Sequence, residues 1–192
     1  MTLASPIPHS PPLLRISCDR YHEMIASGGL KEDDHVELIH GYLVTKRSIG
    51  SNHSGMVNRL NRLLGKLLGD AAIVIIQNPV TIHEYSEPEP DVVVAKFRDD
   101  YYAGGHPQPE DILLVIEVAD SSLAFDRDAK IPLYASCGIP ESWLVDLSAG
   151  EVTLYRKPDG ACYTEHQVCR KGDALPLPGF TDMSLAVADL GL

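Results

Sequence analysis

The sequence has no long apolar run: its longest, Ala71–Ile76, spans six residues, against roughly 20 needed to cross a bilayer. That excludes a helical membrane span. The four cysteines, Cys18, Cys137, Cys162 and Cys169, include no C-x-x-C pair, which excludes a zinc ribbon or a disulfide framework. They read as free thiols of a reducing cytoplasm, and no basic segment followed by an apolar stretch marks a secretory signal at the N-terminus. Positive charge is scarce: 16 Lys and Arg face 27 Asp and Glu, a formal net charge of −11. A polyanionic partner would therefore need a local basic face or a bound cation. There is no G-x-S-x-G, H-E-x-x-H, P-loop or G-x-G-x-x-G, so serine hydrolase, zincin and nucleotide-binding readings fall away.

What is present is an ordinary globular composition, 44% hydrophobic and 22% charged over 192 residues, enough to bury a core without disulfide or metal. Pro6, Pro8, Pro11 and Pro12 make residues 1–16 a flexible, Pro-rich arm, and residues 17–192 read as one α/β domain. Asp19–Ile25 predicts a short helix with Tyr21, Met24 and Ile25 on one face, ended by Gly28-Gly29. Val36–Ile39 and Tyr42–Thr45 flank His40-Gly41 as a hairpin. Ser51-Asn52-His53-Ser54 offers N-caps to an amphipathic helix whose apolar positions are Met56, Val57, Leu60, Leu63, Leu64, Leu67 and Leu68.

Strands are expected at Ala72–Gln77, Val80–His83, Asp91–Ala95 and Ile112–Val118, the last apolar enough to be buried on both faces. Asp120–Cys137 reads as a turn and helix, Ser142–Asp146 and Glu151–Arg156 as a second hairpin, and Ala161–Val168 as an edge strand. Glu84, Glu87 and Glu89 read as a solvated acidic elbow, and Trp143 as core.

Chemistry enters through misplaced charge. Glu117 sits inside Leu113–Val118, where a lone buried carboxylate is costly unless a partner or a metal offsets it. A salt bridge to Lys130 or Arg127 and a cation site are both open. Glu37, Asp91, Glu117 and Lys130 together form a set suited to Mg²⁺ or Mn²⁺, which take carboxylate oxygens and waters. Such an ion polarises a phosphoryl oxygen and activates water, and a lysine could orient that water or stabilise the phosphate. Pro132 disfavours helical geometry at Ile131, which places Lys130 at a kink. His53 could face a cleft or simply sit in a capping loop. Arg59, Arg62 and Lys66 share one helix side and could follow a nucleic-acid backbone, although a charged outer face is usually solvated. Lys46 and Arg47 carry the same two readings.

The blocks Val36–Gly41, Glu89–Val94, Ile116–Ser122, Asp126–Lys130 and Gly138–Asp146 resemble the Uma2-type (DUF820) branch of the PD-(D/E)xK nuclease superfamily. The resemblance implies a restriction-endonuclease-like core, a mixed central sheet flanked by helices, and metal-dependent cleavage of DNA. It matches Asp91 and Glu117 to the metal-holding acids and Glu37 to the acid from the N-terminal segment. The backbone carbonyl of Val118 would be a further ligand. Position 119, where the motif's lysine ordinarily stands, is alanine, and Lys130 resembles the relocated lysine of this branch. By the same analogy the chain forms a homodimer. The alternative is a nuclease-fold module that binds nucleic acid or a partner protein without cutting.

Overall fold

Ser17 accepts a hydrogen bond from the Arg20 amide and opens α1 (Cys18–Ala26), in a computed structural model that describes residues 13–46 and 49–192. Most of the expected N-terminal arm, and Arg47, lie outside the described residues. Cys18 and Tyr21 turn inward from α1 to meet Leu38, whereas Ile25 points outward. The expected Tyr21–Met24–Ile25 face is thus corrected at Ile25: the helix packs through Cys18 and Tyr21 on the hairpin and through Cys18 and His22 on the segment from His83 to Glu87.

The hairpin is β1 (Val36–Ile39) and β2 (Tyr42–Thr45), antiparallel, with Val36 opposite Thr45. His40 and Gly41 both have positive φ (52° and 82°), the pair that a two-residue turn needs to match strand twist. Helix α2 (Ser51–Leu68) buries Met56, Val57, Leu60, Leu64 and Leu68, as the spacing predicts. Its N-cap is Gly50, without a side-chain cap bond. The expected capping residues Ser51–Ser54 lie inside the first turn, where His53 becomes free to face elsewhere.

The central sheet has six strands: β3 (Ala72–Ile76), β4 (Val92–Lys96), β5 (Ile112–Ala119), β6 (Glu141–Asp146), β7 (Glu151–Asp159) and β8 (Cys162–Cys169), in that spatial order. All neighbours are antiparallel except β5 and β6, and a parallel pair requires a crossover connection. That crossover contains α3 (Leu123–Phe125), a π-helical turn at Asp126–Lys130, and α4 (Ile131–Ser136). The expected departure from helical geometry at Ile131 is corrected: Lys130 and Ile131 both stay right-handed helical, and Pro132 is accommodated in the first turn of α4. Ahead of it the Ile131 amide reaches the Asp126 carbonyl five residues back, the spacing of a π-turn.

Side-chain alternation divides the core. Val92, Val94, Leu114, Ile116 and Val118 pack under α2 with Trp143, which is core as expected. Val93, Val115, Ile131, Leu133 and Tyr134 form the second layer. The tail adds the antiparallel pair β9 (Ala174–Pro176) and β10 (Ser184–Ala186), then α5 (Val187–Leu190).

Two expectations between β3 and β4 are corrected. Val80–His83 forms no ladder; the Val80 amide goes to Pro88 and the Thr81 amide to Pro107, so Val80 and Ile82 are buried on an irregular path. The acidic elbow is not solvated throughout. Glu87 exchanges backbone hydrogen bonds with Leu38, and its buried carboxylate meets His22 Nε2 at 2.8 Å and accepts from Thr81 Oγ1 at 2.9 Å.

Candidate functional site

Pairing of β4 with β5 sets Val92 opposite Ile116. One further step brings Asp91 across from Glu117, on the face shared with α4. This is where the strand ladder ends, so the Val118 amide donates to Asp91 Oδ2 at 2.8 Å. His53 Nε2, from the first turn of α2, lies 3.0 Å from the same oxygen, and Gln77 Nε2 donates to Oδ1 at 3.2 Å. Gln77 also sends its amide to the Asp91 carbonyl and holds φ at +50°, a conformation retained here by its double grip on Asp91.

Across from Asp91 the acids are buried. Glu117 is 2% exposed, Glu37 3%, Asp126 4% and Lys130 6%. Lys130 Nζ stands 3.2 Å from Glu37 Oε2 and 3.4 Å from Glu117 Oε1. Tyr134, one turn of α4 beyond, donates its hydroxyl to Glu117 Oε1. Glu37 Oε2 also accepts the Glu89 amide at 3.1 Å, and Ser122 Oγ donates to Asp126 Oδ2. One ammonium thus serves several carboxylates.

The electrostatics follow from that excess. Burial drives the Glu117 carboxyl well above the ordinary range, and Asp126 and Asp91 push the same way against Lys130 and the Tyr134 hydroxyl. Asp126 is raised chiefly by burial. Burial alone would lower Lys130, but Glu117 and Glu37 outweigh it and hold the ammonium charged. His53 is raised, first by its hydrogen bond to Asp91; its Nδ1 is buried without a partner among the described residues.

These groups line a cavity of about 830 Å³. A hard divalent cation that keeps most of its waters needs only one or two carboxylates, and the donor set fits one. Asp91 Oδ1 accepts a single hydrogen bond, and Glu117 Oε2 receives only the 3.5 Å approach of Lys130. Each has a lone pair to spare. Among the described residues no three His, Cys, Asp or Glu form a ready metal cage.

The structure brings Glu37, Asp91, Glu117, Lys130 and His53 to one cavity. It does not bring Arg59, Arg62 or Lys66 there: all three are exposed on α2, and Arg59 packs beside Gly191. Lys46 lines the cavity and pairs with Glu89. Asp126, Tyr134 and Gln77 were missed from sequence as site residues. The four-residue steps Asp126, Lys130, Tyr134 could have exposed the first two as one helix face. Gln77 carries no sequence signal, since its place depends on a backbone turn.

A mixed sheet with paired acids where β4 meets β5, and a buried lysine from the crossover, defines an α/β protein of the restriction-endonuclease-like class. The chain belongs to the Uma2 family, described as "Putative restriction endonuclease", which matches residues 18–188. No curated protein matches it. Among solved structures it is similar to a "putative nuclease belonging to DUF820" from Anabaena variabilis ATCC 29413, with 18% identity and a TM-score of 0.71 over 91% of this chain and 97% of that one. At that identity the likeness establishes the fold.

Proposed function

We propose that the protein is a Mg²⁺- or Mn²⁺-dependent endonuclease that hydrolyses phosphodiester bonds of DNA. The observation that carries this reading is the convergence of Asp91 and Glu117 on adjacent strands with buried Lys130 in reach of Glu117. Asp91 and Glu117 would hold the cation through their spare lone pairs, with Glu37 acting directly or through water. When bound there, such an ion would supply positive charge to the phosphate and lower the pKa of a water. Gln77, His53 and the Val118 amide fix the Asp91 carboxylate, and Tyr134 fixes Glu117. Lys130, beside Glu37 and Glu117, would orient the attacking water or stabilise charge on the phosphate.

The test is cleavage with Mn²⁺ of supercoiled plasmid and of an unpaired oligodeoxynucleotide by wild type, Glu117→Ala and Asp91→Asn. Loss of cleavage of either form by at least a hundredfold in both variants, with DNA binding kept, supports the reading. Equal low activity in wild type and variants at matched purity overturns it. The second reading, a nuclease-fold module that binds without cutting, draws on the missing three-ligand cage among the described residues. It predicts no heat of Mn²⁺ binding by calorimetry.

A further inference from the structure

The cavity is not ionic throughout. Val44 of β2, Ile49 ahead of α2 and Phe125 of α3 line it beside the acids. Val44 and Phe125 extend the second core layer up to its wall, and Ile49 is 56% exposed. Three separate segments thus present apolar surface to a space otherwise lined by charged and polar groups. Leaving such surface wet is unfavourable, and a ligand with a flat apolar face would cover it.

The charges do not choose between a duplex and a single strand. Among the described residues, Glu37, Glu89, Asp91, Glu117, Asp120 and Asp126 line the cavity with Lys46, Lys130, His35 and His53. Both forms carry phosphates that need neutralising, so the choice falls on the bases. A duplex keeps its base faces stacked inside. An unpaired strand shows its bases, whose π-faces stack on aromatic and apolar side chains without regard to sequence. A cavity of about 830 Å³ has the size of sites that enclose compact groups, which suits one unstacked nucleotide and its phosphates.

Resting on the nuclease reading, we propose that the substrate is single-stranded: Phe125, with Ile49 and Val44, receives an unpaired base while the acid-and-lysine floor receives its phosphodiester. Phe125 is adjacent to Asp126 in sequence, so the base wall and the acid cluster share one rigid turn.

The experiment is fluorescence anisotropy in Ca²⁺ with one labelled oligodeoxynucleotide, unpaired or annealed to its complement. Wild type should bind the unpaired form at least tenfold more tightly. Phe125→Ala and Ile49→Ser should each weaken unpaired binding by roughly tenfold, the effect of losing one base contact, and leave duplex binding unchanged. Phe125→Trp should keep the preference. If Phe125→Ala lowers the melting temperature, Ile49→Ser, at an exposed position, decides. Equal affinity of wild type for the two forms, or variants that weaken both alike, overturns the proposal. Plasmid nicking that survives such a result leaves the nuclease standing. A strand preference in a protein that does not cut removes the nuclease and keeps the binding mode.

Discussion

Lys130 is the only cation within ion-pair reach of Glu37 and Glu117 among the described residues, and its loss would leave both acids buried without a charge partner. Lys130→Met keeps the stem and removes the ammonium. The expected cost is about 3–5 kcal/mol, as for other broken buried pairs, read from urea unfolding in EDTA. Tyr134→Phe removes one hydroxyl from the same carboxylate and should cost less, about 1–3 kcal/mol. Equal costs would mean that the tyrosine hydroxyl holds Glu117 as firmly as the ammonium does. At this scale the sequence was legible where a residue broke its local pattern: Glu117 is a charge in an apolar strand, and Lys130 stands ahead of a proline. Asp126 and Gln77 break nothing locally. Asp126 sits beside charged neighbours on a polar stretch, and Gln77 reaches Asp91 only because φ turns positive at the end of β3.

Elements were legible where periodicity and turn chemistry agreed. The β1–β2 hairpin and its His40-Gly41 turn fall where alternation and glycine place them, and α2 buries the face its spacing defines. Val80–His83 misled because an apolar run reports burial and not pairing; Pro79 precedes it, and its amides go to two distant carbonyls. The crossover misled in another way. Its helical pattern is real, but Pro132 can donate no hydrogen bond, and the chain absorbs that through the π-turn that carries Lys130 inward. A cleaner test of element energetics lies on α2. Gly65 is exposed, and a Cβ there would meet nothing within 4 Å. Gly65→Ala should therefore raise stability by about 1 kcal/mol, seen as a higher urea midpoint with unchanged m. Gly191→Ala should not, since a φ of +78° strains any residue with a Cβ, which would also displace the Arg59 guanidinium.

For the molecule as a whole, the net charge is −11 and six of the acids line one cavity, and this sets how stability responds to protons and cations. Glu117 and Asp126 have raised folded-state values, so over the range above the ordinary carboxyl pKa the folded state binds more protons than the unfolded. Stability then falls as pH rises through that window. His53, also raised, acts in the same direction: its contribution is present below about 6.5 and is lost as pH rises through its folded value. In EDTA the melting temperature should climb as pH drops from about 8 to about 5, and Glu117→Gln should flatten the climb. Toward the lower end the exposed Asp100 and Asp128 oppose this, because their arginine partners hold them below the usual range. A divalent cation should do at neutral pH what protons do in acid. With Mn²⁺ at a hundredfold excess over its Kd, linkage gives about 2.7 kcal/mol, roughly 5–10 °C for a chain of this size. The shift should be larger at pH 8 than at pH 5, where protons and Mn²⁺ compete for the same oxygens. A shift of the same size at both values, or one that survives Asp91→Asn with Glu117→Gln, would place the cation somewhere other than between β4 and β5.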